Sequence, residues 1–282
     1  MQSLIHYRIR WKPAGNQPGS KRGQSAGMGD QLRALVLLRD HPDPRRLDLR
    51  TSLRDPFERL WVRDFYLNTA LNVIVLVDAS ASMAYVGRSN RMAVAQDISA
   101  QLALSAYRSG DAFGVYLANQ NILKNGVLPP RMNRSAYWWV KQHFAQIAPS
   151  GENADGLLQV AAQLSKRRSL VFVVSDFRWE AGKLKALLKT LRHHDVVPLV
   201  LRDPAEYDAM PTSGIATLQD AETGATRFVW MRNGLIEKVR NARLAHWGQI
   251  DATCRTYGCK PLLVHGEFEN AQLTRYFMER MA

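Results

Sequence analysis

The chain has 282 residues, 46% hydrophobic and 22% charged, with a mean hydropathy of −0.27. It is long enough to bury a large core, and its composition excludes a disordered or fibrous protein. The apolar runs Val73–Val77 and Leu170–Val174 are far too short to cross a bilayer, the first residues, MQSLIHYRIRWK, lack the apolar segment of a secretory signal, and cytoplasmic residence is expected.

Two cysteines, Cys254 and Cys259, exclude a disulfide framework and read as reduced thiols. A formal net charge of +13 raises the question of nucleic acid. Residues 1–70 carry 13 Lys and Arg against 7 Asp and Glu. The arginines from Arg39 to Arg63 are interleaved with Asp40, Asp43, Asp48, Asp55, Glu58 and Asp64, a pattern of ion-paired surface rather than of a stripe that tracks phosphates. Nucleic-acid binding is therefore an alternative and not the preferred reading.

In chain order, Tyr7–Lys12 alternates as a short strand does. Pro13–Gly29 collects five glycines and two prolines and reads as a loop. Asp30–Arg39 has the spacing of a short helix or strand, and His41-Pro42-Asp43-Pro44 breaks it. Leu60–Tyr66 is a further strand. Val73–Val77 is a continuous β-branched run, the pattern of a strand buried on both faces of a parallel sheet. Met92, Ala95, Ile98, Leu102 and Ala106 then mark one face of a helix. Phe113–Leu117 is the next strand, Tyr137–Ile147 and Leu157–Leu164 are helical, and Leu170–Val174 is again a buried strand. Gly182–Arg192 is an amphipathic helix and Val196–Leu201 a fourth strand of this kind.

A hairpin is expected from Ile215–Leu218 and Ala225–Trp230 around Asp220–Gly224. A long helix from near Gly234, a strand Pro261–Val264 and a helix Asn270–Met281 complete the chain. The alternation implies right-handed crossovers: an α/β, doubly wound, mostly parallel sheet with helices on both faces over residues 71–282, preceded by an irregular N-terminal extension over residues 1–70.

Chemistry concentrates where Val73–Val77 ends. Asp78, Ser80 and Ser82 place oxygens at every second position, so a carboxylate and two hydroxyls converge beyond the carboxyl end of a central strand. Such hard donors suit Mg²⁺, with Mn²⁺ or Ca²⁺ as alternatives. The other reading is that Asp78 and Ser80 cap the next helix. Leu170–Val174 also ends in a polar pair, Ser175-Asp176, which puts Asp176 beside Asp78 if the strands are neighbours; otherwise it is the polar exit of a buried strand.

Asp78-Ala79-Ser80-Ala81-Ser82-Met83 resembles the first motif of the metal-ion-dependent adhesion site of von Willebrand factor A domains, and Asp176 resembles its distal aspartate. The chain is more closely similar to the bacterial domain of unknown function 58 family. The residues that carry this are Gly27-Met28-Gly29-Asp30, Pro44-Arg45-Arg46-Leu47-Asp48, Thr51–Arg54, Trp61-Val62-Arg63-Asp64-Phe65, Gly110-Asp111, Gly114 and Phe277–Met281. The site's usual threonine has no counterpart in Ser150-Gly151-Glu152-Asn153-Ala154-Asp155, where Asn153 offers an amide oxygen and Asp155 or Glu152 a carboxylate.

The resemblance implies a von Willebrand factor A-like interaction module and not an enzyme, in which a partner's acidic residue completes the metal shell. It further implies work beside a MoxR-type AAA+ ATPase in assembly or cofactor insertion of a target complex, with methanol dehydrogenase maturation as one branch. A metal-dependent hydrolase is a lesser alternative, because no phosphate loop, nucleophile elbow or His-Glu-x-x-His is present. Tyr137, Trp138 and Trp139 are read first as part of a helix packed on the sheet and second as a contact surface.

Overall fold

The structure is a computed structural model that describes residues 4–11, 18–151, 153–208, 214–219, 226–231 and 233–281. It divides into two compact units, Ile9–Leu71 with Ser109–Asp111, and Met1–Arg8 with Asn72–Arg108 and Ala112–Ala282.

In the smaller unit, β1 (Pro18–Leu37) pairs antiparallel with β2 (Trp61–Thr69), and the short helix α1 (Leu49–Ser52) lies between them in sequence. The extension is thus built on a hairpin, and the glycine-rich stretch expected as a loop is strand from Pro18 onward. Backbone pairing to β2, interrupted by register shifts, supplies there what the side-chain pattern does not advertise. Residues 12–17 lie outside the described residues.

Of Tyr7–Lys12, expected as a strand, the described residues 7–11 are not in a strand. Its neighbourhood is held by side chains instead: Ile5 N–H donates to Ser105 Oγ at 2.9 Å and the buried Tyr7 ring meets Phe277 edge-on at 6.4 Å.

The Arg-Asp interleaving does form ion pairs. Arg63 Nε reaches Asp48 Oδ2 at 2.8 Å, Arg59 reaches Asp55 at 3.0 Å, and Arg33 reaches Asp64 at 2.9 Å. Asp48 also accepts the Thr51 N–H at 2.9 Å, which starts α1, and Asp55 accepts the Trp61 indole N–H at 2.7 Å. Gly110 adopts a φ of +67°, and the buried Asp111 that follows takes the Leu71 N–H on Oδ1 at 2.9 Å. The Gly-Asp pair is therefore a turn and its lock.

The larger unit contains β3 (Asn72–Asp78), α2 (Arg91–Arg108), β4 (Ala112–Ala118), β5 (Ile122–Arg131), α3 (Ala136–Phe144), α4 (Asp155–Gln163), β6 (Leu170–Ser175), α5 (Ala181–Thr190), β7 (Asp195–Arg202), α6 (Ala205–Asp208), β8 (Gly214–Gln219), β9 (Thr226–Met231), α7 (Asn233–Thr256), β10 (Leu262–His265) and α8 (Asn270–Met281). Six of these strands form one sheet in the order β10-β7-β6-β3-β4-β5, parallel except for β5. Numbered within the sheet by chain order and read from β5, the strands run 3-2-1-4-5-6. This is the doubly wound arrangement, with its switch point between β3 and β6.

The side-chain alternation of the strands puts helices on both faces. Ile74, Leu76, Val171 and Val173 pack with α4, α5 and α7 through Leu157, Val160, Leu184, Leu187 and Ile250. Phe172, one step out of phase, turns to the other face and meets Phe277 of α8 at 6.1 Å. Each fully buried Val, Leu or Phe of these strands contributes about 1.5–3 kcal/mol.

β5 was not legible as a strand. It approaches β4 so closely that a Cβ at Gly114 would stand 2.8 Å from the Pro130 nitrogen, which gives this glycine its reason. β8 and β9 form a hairpin of their own, as expected, and the turn between them lies outside the described residues. α3 faces inward through Ala136, Val140 and Phe144, so it is a packed helix, yet Trp138 is 70% exposed on its outer side. Both cysteines are buried free thiols. Among the described residues no helix is long and apolar enough to cross a membrane.

Candidate functional site

β3 and β6 are adjacent and parallel, with Val77 level with Val174. Their carboxyl ends therefore deliver Asp78 and Ser175-Asp176 to one place at the switch point. Both aspartates are fully buried. Asp78 Oδ1 accepts the Ser80 N–H at 2.9 Å, while Oδ2 accepts the Ser175 hydroxyl at 2.6 Å and the Trp179 indole N–H at 2.8 Å. Burial, and secondly the charge of Asp176, push the Asp78 carboxyl above its ordinary pKa, against these donors.

A 3₁₀ turn over Ala81–Ala84 follows, with Ser80 as its cap residue. It brings the buried Ser80 and Ser82 hydroxyls within 3.3 Å of each other.

Further residues that the sequence reading did not single out complete the site. Arg91, the first residue of α2 and only 2% exposed, donates through Nη1 to the Ser82 carbonyl at 2.8 Å and to Asp176 Oδ2 at 2.9 Å. Its Nη2 pairs with Glu206 of α6, and its guanidinium lies 4.8 Å above the Tyr85 ring. Arg178 binds Glu206 Oε1 at 2.8 Å from the other side. The Arg91 Nε and Glu206 Oε2 atoms are buried without a hydrogen-bond partner among the described residues. Between Asp176 and Trp179, Phe177 holds a φ of +52° and donates its N–H to Ser175 Oγ at 2.8 Å. This left-handed residue, strained for a side chain of its size, turns the chain so that Trp179 points back at Asp78.

The segment that stands where the usual threonine is expected comes close through the backbone of Ser150 and Gly151. Ser150 N–H reaches the Ala79 carbonyl at 2.9 Å and Ala81 N–H reaches the Gly151 carbonyl at 3.0 Å. Its candidate side chains are engaged elsewhere: Asn153 Oδ1 accepts the Asp155 N–H at 3.1 Å, and Asp155 pairs with Lys183 at 2.8 Å. Glu152 lies outside the described residues.

Whether these residues suit a divalent cation turns on the donor set. Adjacent ligands of an octahedral Mg²⁺ lie about 3 Å apart, given bonds of about 2.1 Å. The hydroxyl pair, at 3.3 Å, has that spacing. Among the described residues no three His, Cys, Asp or Glu side chains are grouped to hold an ion. The Ser80–Ser82 hydroxyl spacing, itself that of a hydrogen bond, matches two adjacent ligands of an ion that keeps waters at its other positions, and the Asp78 and Asp176 carboxylates are buried at the same edge of the sheet. Arg91 already offsets part of that charge.

Residues 42–245 match the family described as protein of unknown function DUF58, and the chain belongs to it, as the sequence motifs led one to expect. The uncharacterized protein Rv1480 of Mycobacterium tuberculosis is 25% identical over 260 residues, covering 90% of this chain and 80% of that one. The uncharacterized protein in the moxR 3′ region of Paracoccus denitrificans is 40% identical over 70 residues, 25% of this chain and 67% of that one. Among solved structures, an aerotolerance-related membrane protein from Bacteroides fragilis aligns with a TM-score of 0.46 at 13% identity, over 74% of this chain and 98% of that one. A von Willebrand factor type A structure from Catenulispora acidiphila aligns at 0.41 and 12% identity, over 78% of this chain and 43% of that one.

Proposed function

We propose that this chain is a non-enzymatic interaction module that binds a partner protein at the carboxyl edge of its sheet. In this reading Ser80 and Ser82 hold Mg²⁺, with Asp78 and Asp176 behind them, and an acidic residue of the partner completes the shell. The observation that carries it is the buried hydroxyl pair, 3.3 Å apart, directly after the buried Asp78 carboxylate at the switch point of the sheet, where β6 also ends in the buried Asp176. A MoxR-type AAA+ ATPase is the proposed associate, in assembly or cofactor insertion of a target complex. Support for this is the location of a 40% identical relative in a moxR 3′ region.

A hydrolytic role is disfavoured by the way the titratable groups are committed. Asp78 already accepts three donors, and Asp176 accepts Arg91. His246 accepts from Arg202 at 2.9 Å and is tied to the Phe177 backbone. None of the three is poised to take a proton from a water.

Calorimetric titration with Mg²⁺ tests the metal. The Ser80→Ala, Ser82→Ala double variant removes both hydroxyls while keeping Asp78, Asp176 and Arg91, and is expected to give no binding heat where the wild type does; equal heats would overturn the reading. Capture of the ATPase by the immobilised chain is expected to be lost in the presence of chelator.

A further inference from the structure

The carboxyl end of α7 closes on a glycine flanked by two cysteines. Gly258 holds a φ of +71° and donates its N–H to the Arg255 carbonyl at 3.0 Å, while the Cys259 N–H reaches the Cys254 carbonyl, also at 3.0 Å. These two bonds define the helix ending in which a left-handed glycine turns the chain back and lays the next residue against the last helical turn. An apolar contact between those two positions usually accompanies it. Here both positions are cysteine, and the chain has no others.

Cys254 and Cys259 are buried free thiols, packed in one core with Leu187 and Leu188 of α5 and Ile250 of α7. Cys259 Sγ donates to the Cys254 carbonyl at 3.2 Å, and the two side chains hydrogen-bond each other. The chain leading into β10 is fixed as well, because Tyr276 of α8 donates its hydroxyl to the Lys260 carbonyl at 2.7 Å. Both sulfurs are thus carried side by side on ordered backbone, as a disulfide requires.

The two thiols are not equivalent. The hydrogen bond from Cys254, and then the charge of Arg280, push the Cys259 pKa down against the effect of burial, whereas the same hydrogen bond and burial push that of Cys254 up. Cys259 is also the more exposed, at 6% against 0%. An oxidant therefore meets a nucleophile at Cys259 with a second thiol already beside it.

We propose that Cys254 and Cys259 form a reversible oxidation site, at which a peroxide converts the thiol pair into an intramolecular disulfide. The Cys259 sulfur attacks one peroxide oxygen, the O–O bond breaks, and a sulfenic acid forms with release of the first water. The Cys254 sulfur then attacks the Cys259 sulfur, the S–O bond breaks, and the second water leaves with the Cys254 proton. Two thiols and one hydrogen peroxide give one disulfide and two waters. The bond fastens the end of α7 to the entry of β10, the border strand of the sheet, and it stands apart from the metal reading.

The test treats the full chain with hydrogen peroxide, blocks remaining thiols with N-ethylmaleimide in denaturant, and digests with trypsin without reductant. Arg255 separates the two cysteines and Lys260 is followed by Pro261, so they fall in peptides 244–255 and 256–275. The expected product is a monomeric chain in which these peptides are joined, released again by dithiothreitol, with a thermal midpoint a few degrees above that of the reduced form. Cys254→Ala is expected to stop at a Cys259 sulfenic acid that dimedone traps and that the wild type does not accumulate. Maleimide on both wild-type cysteines, after an exposure that oxidises the urea-unfolded chain, would overturn the proposal. So would chains linked to one another, or a Cys259 sulfinic acid formed without the joined peptides.

Discussion

Arg91 opens α2 at the end where the helix dipole disfavours a cation, and it is nevertheless buried. That placement was the sequence signal for a specific anionic neighbour, although it named none. The neighbours are Asp176 and Glu206, 85 and 115 residues away. Arg91→Met leaves two buried carboxylates with only Arg178 between them and is expected to cost about 3–5 kcal/mol, read by urea denaturation. Under the proposed reading Mg²⁺ raises the midpoint of this variant more than that of the wild type, since the ion takes over charge that the arginine had offset. Asp78, Ser80, Ser82 and Asp176 were legible because local spacing and the ends of two apolar runs define them. Trp179, which lies 101 residues from Asp78, was not, because its role exists only once β3 and β6 are neighbours.

The strands β3, β4, β6 and β7 were readable as elements because burial on both faces leaves continuous apolar runs. β5 hides at the sheet edge, where exposed and half-buried positions alternate irregularly and Pro129-Pro130 reads as a break. β1 hides in glycine and polar residues whose pairing depends on β2 alone.

The same hairpin unit has a distinct acid response. Hydrogen bonds to Asp48 from the Thr51 backbone and then Arg63, and to Asp55 from Arg59 with the Trp61 indole, lower both carboxyls from 3.8 to about 2. A lowered folded-state value contributes stability that is complete above the unfolded value and lost as pH falls through the folded one. The Ile9–Leu71 unit is thus expected to loosen between about pH 4 and pH 2, reported by amide hydrogen exchange in β2. Asp78 works in the opposite sense. Its raised pKa means that its contribution is present below the unfolded value and is lost as pH rises through the folded one.

At the scale of the whole molecule, part of the charge is spent internally, as the Asp48, Asp55 and Asp64 pairs show, although the formal net charge is +13. One feature of the sheet governs how copies of the chain meet one another. It ends at one side in β10, a strand of only four residues. At the other it ends in β5, which carries two adjacent prolines and Lys124. Proline offers no N–H to an incoming strand and lysine resists burial, so neither border is a template for further β-pairing. Pro129→Val with Pro130→Val is expected to restore a continuous ladder on β5 and to make the protein self-associate, seen as rising light scattering with concentration. The prolines that concealed this strand in the sequence are therefore what keeps the sheet from being extended through this border.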